Sequence, residues 1–220
     1  RSHRALILLS ISEGTGNVSG LLESEDCLAT LNIFKMLGVK IEKIDKNSYS
    51  IKGKGLYGLK ETKKNLDCGN SGTSMRHLAG RLSAQKFSSN LVGDSSLNKR
   101  PMERIAIPIT RMGANINLSD HKTSPIKINS AKKILPIEYE MPIDSAQIKS
   151  SIILASLYAD GETKIIENTP TRDHTENMVN FLNGNIIKVN NKIIIDPKTK
   201  LISRDINIPG DISSAMFIIV

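Results

Sequence analysis

Leu66-Asp67-Cys68-Gly69-Asn70-Ser71-Gly72-Thr73-Ser74-Met75-Arg76 reads as the end of an extended segment, then a turn of Gly, Asn and Ser, then a helix continuing through His77, Leu78 and Leu82. Gly69 and Gly72 let the backbone turn tightly and let a ligand approach its peptide groups. Ser71, Thr73 or Ser74 can cap the helix, whose first amide N–H groups have no partner inside it. Those N–H groups, the positive end of the helix dipole and Arg76 one turn in make an anion site. An ordinary capped helix after a loop could carry the same residues. The rest of the chain decides between the two.

A chain of 220 residues can bury a full core, as one domain or two small ones. Its formal net charge of +8 suits anionic ligands, either phosphorylated metabolites or nucleic acid. Only 4% of residues are aromatic and Trp is absent, so the stacking platforms of single-strand binders are poorly supplied. The basic residues are scattered, densest at Lys63-Lys64 and Lys132-Lys133, which makes nucleic acid the weaker expectation. Cys27 and Cys68 show neither metal-type spacing nor a disulfide framework, so a reducing cytoplasm is expected, and Cys27 reads as core. No apolar run reaches the ~18 residues of a membrane span. Arg1-Ser2-His3-Arg4 has no targeting character, and the chain stops within the apolar Met216-Phe217-Ile218-Ile219-Val220. Both ends are expected to be cuts in a longer protein.

The pattern around the opening stretch recurs. An apolar helix is expected from Ser2, from Ser71 and from Ser145, each followed by a strand, a more amphipathic helix and a closing glycine at Gly38, Gly113 or Gly184. Serines and glycines both return at intervals of roughly 70 residues in one register, which makes a chance repeat improbable. The unit reads β-α-β-α-β-β, giving an α/β (α+β) fold of three units with Ala5–Ile11, Met75–Leu82 and Ile148–Leu157 as buried helices and the sheets outside. Asp45-Lys46-Asn47-Ser48 carries a hairpin signal, and helices are expected near 100–112 and 173–182. A fourth start at Pro209-Gly210-Asp211-Ile212-Ser213-Ser214-Ala215 echoes Asp144-Ser145-Ala146-Gln147. The expected division is therefore a three-repeat substrate-binding domain over 1–205, and over 206–220 the start of a second domain of the same type.

Each buried helix begins with hydroxyl residues and sets a basic residue in its first turns: Ser2 with Arg4, Thr73 with Arg76, Ser145 with Lys149. Around a rough three-fold axis these helix ends converge, and all three cations are expected to point into one cleft that holds a multiply anionic small molecule. Arg100, before Pro101 in a first helical turn, can reach a phosphate or carboxylate bidentately. Thr171-Arg172-Asp173-His174 occupies the equivalent loop of the third unit. A lone His in a first helical turn is more often structural than catalytic, so His174 is not taken as the acid or base.

The segments Ser2-His3-Arg4-Ala5-Leu6, Gly69 to Arg76, Gly93-Asp94, Arg100-Pro101-Met102-Glu103-Arg104, Ser145-Ala146-Gln147-Ile148-Lys149 and Arg172-Asp173-His174-Thr175-Glu176 occur in an order that resembles the 5-enolpyruvylshikimate-3-phosphate synthase family (3-phosphoshikimate 1-carboxyvinyltransferases). The forms S-A-Q-x-K, R-P-M-x-R and R-x-H-x-E are similar to the second of that family's two classes. The resemblance covers essentially the whole chain and implies an inside-out α/β barrel of the enolpyruvyl transferase type. It implies transfer of the enolpyruvyl group of phosphoenolpyruvate to the 5-hydroxyl of shikimate 3-phosphate with release of phosphate, in the shikimate pathway of chorismate and aromatic amino acid biosynthesis, the target of glyphosate.

By matching positions, the resemblance places shikimate 3-phosphate on Arg4, Ser145, Ala146, Gln147 and Arg172. It places phosphoenolpyruvate on Asn70, Gly72, Thr73, Arg100 and Gln147. It implies no cofactor and no metal, and as partners only the two small substrates. A cytoplasmic protein, monomeric when full length, with no nucleic acid and no membrane, is expected. The family's opening K-S-x-S-x-R would set its Lys and first Ser ahead of Arg1, and Arg1 and His77 stand where an aliphatic, and Leu or Pro, are usual. The acid and base carboxylates are expected beyond Val220, so this chain alone should be inactive. A sister family acting on UDP-N-acetylglucosamine uses a loop cysteine, but Asp94 to Arg100 contains none. A non-catalytic phosphate- or RNA-binding module on the same repeats, as in RNA 3′-phosphate cyclases, is the alternative from another class.

Overall fold

Helix α1 (Ser2–Ile11) carries Ala5, Leu6, Ile7, Leu8, Leu9 and Ile11 around its circumference, all essentially without solvent exposure. A helix with no polar face has no side to give to water, so the fold must surround it. Its two polar groups near the end need no outside partner: the Ser10 and Ser12 hydroxyls donate to Leu6 O and Leu8 O at 2.6 and 2.8 Å. The computed structural model describes residues 1–209, and in it three buried helices form the interior.

After α1 come β1 (Thr15–Ser19), α2 (Glu25–Met36), β2 (Lys40–Asp45) and β3 (Ser48–Lys52). The second unit is β4 (Leu66–Asp67), α3 (Gly72–Leu82), β5 (Ser89–Val92), α4 (Glu103–Arg111), β6 (Asn115–Asn117) and β7 (Ile126–Asn129). The third is β8 (Glu138–Glu140), α5 (Ala146–Ser156), β9 (Thr163–Ile166), α6 (His174–Phe181), β10 (Asn185–Val189) and β11 (Lys192–Asp196), followed by β12 (Ile206–Asn207). Helices α3 and α5 are buried like α1, from Met75 to Leu82 save one half-buried residue, Arg76, and from Ile148 to Leu157. Helices α2, α4 and α6 bury one face each, through Leu31 and Phe34, Ile105 and Ile109, and Val179.

Each unit owns a four-stranded sheet, and the three sheets run β12-β1-β3-β2, β4-β5-β7-β6 and β8-β9-β11-β10. In every one the first pair is parallel and the others antiparallel. The expected β-α-β-α-β-β unit is thus present three times, but the first unit borrows its leading strand from the far end of the chain. Val18 and Ser19 pair with Ile206 and Asn207, so the chain returns to close the ring it opened. Of the segment expected to begin a second domain, residues 206–207 serve this first sheet, while the echo from Gly210 to Ala215 lies outside the described residues.

The helix expected near 100–112 begins later, at Glu103. A 3-10 turn over Leu97–Lys99 and the bond from Met102 N to Lys122 O (2.9 Å) hold Arg100 and Pro101 in the preceding loop. The hairpin at 45–48 is present, with Asp45 opposite Ser48 and Asn47 at φ 55°.

The three buried helices run parallel. Their starts touch through His3 and Ser74, Arg4 and Ser150, and Gln147 and Thr73. Their ends all meet residues 53–58. Lys54 N donates to Ser10 O (3.0 Å), and Leu56 O accepts from Arg81 Nη2 (3.1 Å) and from the hydroxyl of Tyr158, just past α5 (2.9 Å). Arg81 is fully buried over the Tyr158 ring, 4.8 Å from its centroid. It stands where helix carbonyls present partial negative charge.

Close approach of α3 to α5 depends on Gly80, where an added Cβ would sit 2.1 Å from Ser151 O. Backbone cannot yield there as a flexible side chain can. Gly80→Ala is therefore expected to destabilise the chain by about 3 kcal/mol, the upper range for overpacking. Urea unfolding followed by circular dichroism measures this, and a variant as stable as the parent would contradict the parallel packing described here.

Candidate active site

The turn before α3 is fixed by its own polar groups. Gly69 adopts φ 54°, a conformation that favours glycine, and its N–H donates to the Asp67 carboxylate at 2.8 Å. Ser71 is the cap, accepting from Ser74 N at 3.1 Å. Asp94 ties the turn to the end of β5: its N–H donates to Gly69 O (2.9 Å) and its carboxylate accepts from Asn70 Nδ2 (2.8 Å), Ser96 N (3.0 Å) and Leu97 N (2.7 Å). The Leu97 N–H foremost, then the Asn70 amide, hold this carboxyl below the usual carboxylate range.

Arg4, Thr73, Ser145, Ala146, Gln147 and Arg172 line one pocket of about 300 Å³ at the converging starts of α1, α3 and α5. Ser145 makes no side-chain cap, which leaves the first amides of α5 without that partner. Arg4 Nε donates to Thr175 Oγ1 at 2.6 Å and its Nη2 to Ser150 Oγ at 3.2 Å. Burial lowers the pKa of Arg4; Glu176 opposes that and Arg172 reinforces it. The structure thus brings all five positions expected to hold shikimate 3-phosphate to one place.

The second expected set adjoins it. Arg100 Nη2 donates to Asn70 Oδ1 at 2.7 Å, and a Cβ on Gly72 would lie 3.0 Å from Arg76 Nη1 and 3.2 Å from Arg100 Nη1. Arg76 joins the two sets: its Nη1 donates to Gln147 Oε1 at 2.6 Å, while Gln147 Nε2 donates to Thr73 Oγ1 at 3.1 Å. A guanidinium can only donate, so it fixes the amide with its oxygen toward Arg76 and one amide N–H to spare. Arg76 has its pKa lowered by burial first, then by the charges of Arg100 and Arg104. Three guanidiniums this close, beside positive helix ends, make an anion-seeking surface.

One of the three expected cations is not there. Lys149 is fully buried, 3.0 Å from Glu167 Oε1 and 2.6 Å from Glu176 Oε1, and points away from the pocket into the gap between α5 and α6. Its position one turn inside a fully buried helix left it no route to solvent, and only the partners' distant places in the chain concealed the pairing. Sequence reasoning also passed over Ser150 and Thr175, which aim Arg4; their spacing of one turn from Ala146 and three residues from Arg172 was the available signal. His174 lines a different, larger hollow of about 430 Å³ with Met178, Phe181 and Ile206. Among the described residues no group of three or more His, Cys, Asp or Glu side chains is arranged to hold a metal, and no helix is long and apolar enough to cross a membrane.

The family model described as EPSP synthase (3-phosphoshikimate 1-carboxyvinyltransferase) matches residues 1–220. The chain is 50% identical over 219 residues to a 3-phosphoshikimate 1-carboxyvinyltransferase of Legionella pneumophila, covering all of this chain and 50% of that protein. It is 46% identical over 220 residues to the enzyme of that name from Streptococcus agalactiae, covering 51% of it. The solved EPSP synthase of Acinetobacter baumannii superposes with a TM-score of 0.94 at 48% identity, over 98% of this chain and 49% of that one. The chain therefore spans about half the length of the curated relatives it matches.

Behind the pocket, His3 Nδ1 lies 2.9 Å from Thr30 Oγ1 and 3.2 Å from Ser74 Oγ, and His77 is fully buried with both ring nitrogens unpartnered among the described residues. Burial first, with the Arg4 charge adding to it, lowers the pKa of His3 to about 4; burial also holds His77 well below its ordinary value. In the unfolded chain both titrate near 6.5. Between pH 6.5 and about 4 the unfolded state binds the extra protons, so the contribution of His3 to stability is full above 6.5 and lost as pH falls toward 4. Urea midpoints measured from pH 7.5 to 4.5 should fall accordingly, and His77→Leu should flatten the fall while raising stability at pH 7.5. Equal slopes in parent and variant would contradict this assignment.

Proposed function

The chain belongs to the EPSP synthase family, and from that membership we propose that it is the substrate-gripping part of an enzyme that transfers the enolpyruvyl group of phosphoenolpyruvate to the 5-hydroxyl of shikimate 3-phosphate. The observation that carries this reading is the convergence of Arg4, Gln147 and Arg172 with Ser145 and Ala146 on one pocket at parallel helix starts. In this reading the 3-phosphate and ring hydroxyls sit on the α5 amides, Ser145, Arg4 and Arg172. Phosphoenolpyruvate sits on Asn70, Gly72, Thr73 and Arg100, with the spare N–H of Gln147 reaching both substrates. The missing side chain of Gly72 leaves Arg76 and Arg100 room to present their guanidiniums to an anion.

In this reaction the 5-hydroxyl of the shikimate ring gives its proton to a base and adds to the phosphate-bearing carbon of phosphoenolpyruvate while an acid protonates the methylene. The resulting methyl then loses a proton as the C–O bond to phosphate breaks and phosphate leaves. A fixed cationic clamp stabilises charge without reorganising, and positioned acid–base groups each contribute about 10²–10⁴-fold. We assign those groups to a second domain of the same build, outside this chain, which faces the pocket and excludes water when the two close. We further assign the protein to the cytoplasm, as a monomer that needs neither nucleic acid nor membrane.

Isothermal titration of this chain with shikimate 3-phosphate should give saturable, weak binding that Arg172→Ala abolishes, with no phosphate release when phosphoenolpyruvate is added. Turnover near that of an intact enzyme would place the chemistry on the wrong domain, and absence of binding would sink the substrate assignment. In the full-length protein, Arg100→Lys loses a bidentate contact and should raise KM for phosphoenolpyruvate roughly tenfold while leaving that for shikimate 3-phosphate unchanged.

A further inference from the structure

The S-A-Q-x-K and R-x-H-x-E segments, distant in the chain, meet through the last residue of each: Lys149 Nζ lies 2.6 Å from Glu176 Oε1. The same Nζ is 3.0 Å from Glu167 Oε1, and all three side chains are nearly or wholly out of solvent. Two carboxylates share one buried ammonium, with Lys188 only partly available at 3.6 Å from Glu167 Oε2.

This cluster holds both sides of Arg172. On one side, Glu167 Oε1 accepts from Thr171 N (3.1 Å) and Thr171 Oγ1 (2.5 Å), while Lys149 Nζ donates to Thr171 O (3.5 Å). Every hydrogen-bonding group of the residue before Arg172 is thus engaged. On the other side, Thr175 accepts from Arg4 and contacts Ser150 Oγ at 2.6 Å, and its neighbour Glu176 attracts the Arg4 guanidinium.

Without Lys149, Glu176 would be a buried carboxylate within electrostatic reach of the Arg4 guanidinium. A buried charge left without its partner is costly, so the pair would form. Arg4 would then spend its charge on Glu176.

We propose that Lys149 is a positioning residue: it clamps the 167–176 segment against α5 and keeps the Glu176 carboxylate satisfied, so that Arg4 and Arg172 face the pocket with their charges available. The inference rests on the reading of the pocket as the shikimate 3-phosphate site. It makes Lys149 a determinant of affinity that touches no substrate.

The test uses this chain, titrated with shikimate 3-phosphate at a temperature where circular dichroism shows every variant folded. Lys149→Met should weaken binding at least tenfold, and adding Glu176→Gln should recover most of that loss, since the carboxylate that competes for Arg4 is gone. Unchanged affinity in folded Lys149→Met, or a loss that Glu176→Gln does not recover, overturns the proposal, because a merely structural role would lower stability and leave the affinity of the folded molecules alone. Should Lys149→Met fail to fold, Glu176→Gln alone decides: affinity equal to or above the parent supports the proposal, and a tenfold loss overturns it. If the parent itself does not bind shikimate 3-phosphate, the functional reading falls and the clamp is judged separately by amide exchange. Faster exchange at Thr171 in Lys149→Met than in the parent, with α1 and α3 unchanged, supports the clamp, and equal exchange overturns it.

Discussion

Three buried helices pointing the same way set the terms for everything else in this molecule. Each helix end carries about half a charge, so parallel packing gathers like ends at both extremes. Antiparallel neighbours would cancel these charges, but a repeated β-α-β-α-β-β unit related by rotation brings every first helix in with the same polarity. At the carbonyl end the protein supplies its own counter-charge, the buried Arg81 over Tyr158 with Leu56 O as its acceptor. At the amide end the acids within electrostatic reach, Glu176 near Arg4 and Asp94 near Arg100, are engaged by Lys149 and by backbone amides. There Arg4, Arg76, Arg100 and Arg172 add positive charge to positive helix ends, an arrangement that only an anion relieves.

The outer layer serves this alignment. Each sheet covers its own buried helix, and the antiparallel hairpin of each unit follows the amphipathic helix that walls the interior from water. Closure falls to β12, which gives the first unit the leading strand that the others carry in sequence. The loop at 53–58 performs the same service below, bonding to the ends of the three helices from different parts of the chain.

The repeats made the fold legible, because the helix starts and closing glycines return in one register and the runs at Ala5–Ile11 and Ile152–Leu157 are nearly continuously apolar. The pocket was legible for a related reason: residues at a helix start are placed by the helix, so locating the helices located Arg4, Thr73 and Gln147. What escaped depended on contacts between distant residues. Lys149 shares the first turns of α5 with Gln147, and position along the helix could not say that Glu167 and Glu176 would claim it. The start of α4 escaped likewise, since Met102 is drawn to Lys122 across a loop. The borrowed strand β12 is two residues long, too short to show a period.

The different fates of the lysine and the arginines follow from their side chains. An ammonium is compact and turns its three donors freely, so Lys149 can bind two carboxylates and a carbonyl in a closed space. A guanidinium is a planar fork: part of it can be anchored while the rest faces outward. Arg4 is held through Nε and Nη2, Arg76 through Nη1 on Gln147, and Arg100 through Nη2 on Asn70. Each anchor is neutral, a hydroxyl or an amide oxygen, so orientation is fixed without an ion pair at the anchor. Carboxylates as anchors would offset the positive charge that the pocket presents. The acids that stand nearest, Glu167 and Glu176, are occupied by Lys149, and Asp94 is turned to backbone amides and Asn70. Positive charge is kept available at the pocket because the negative charge around it is bound elsewhere.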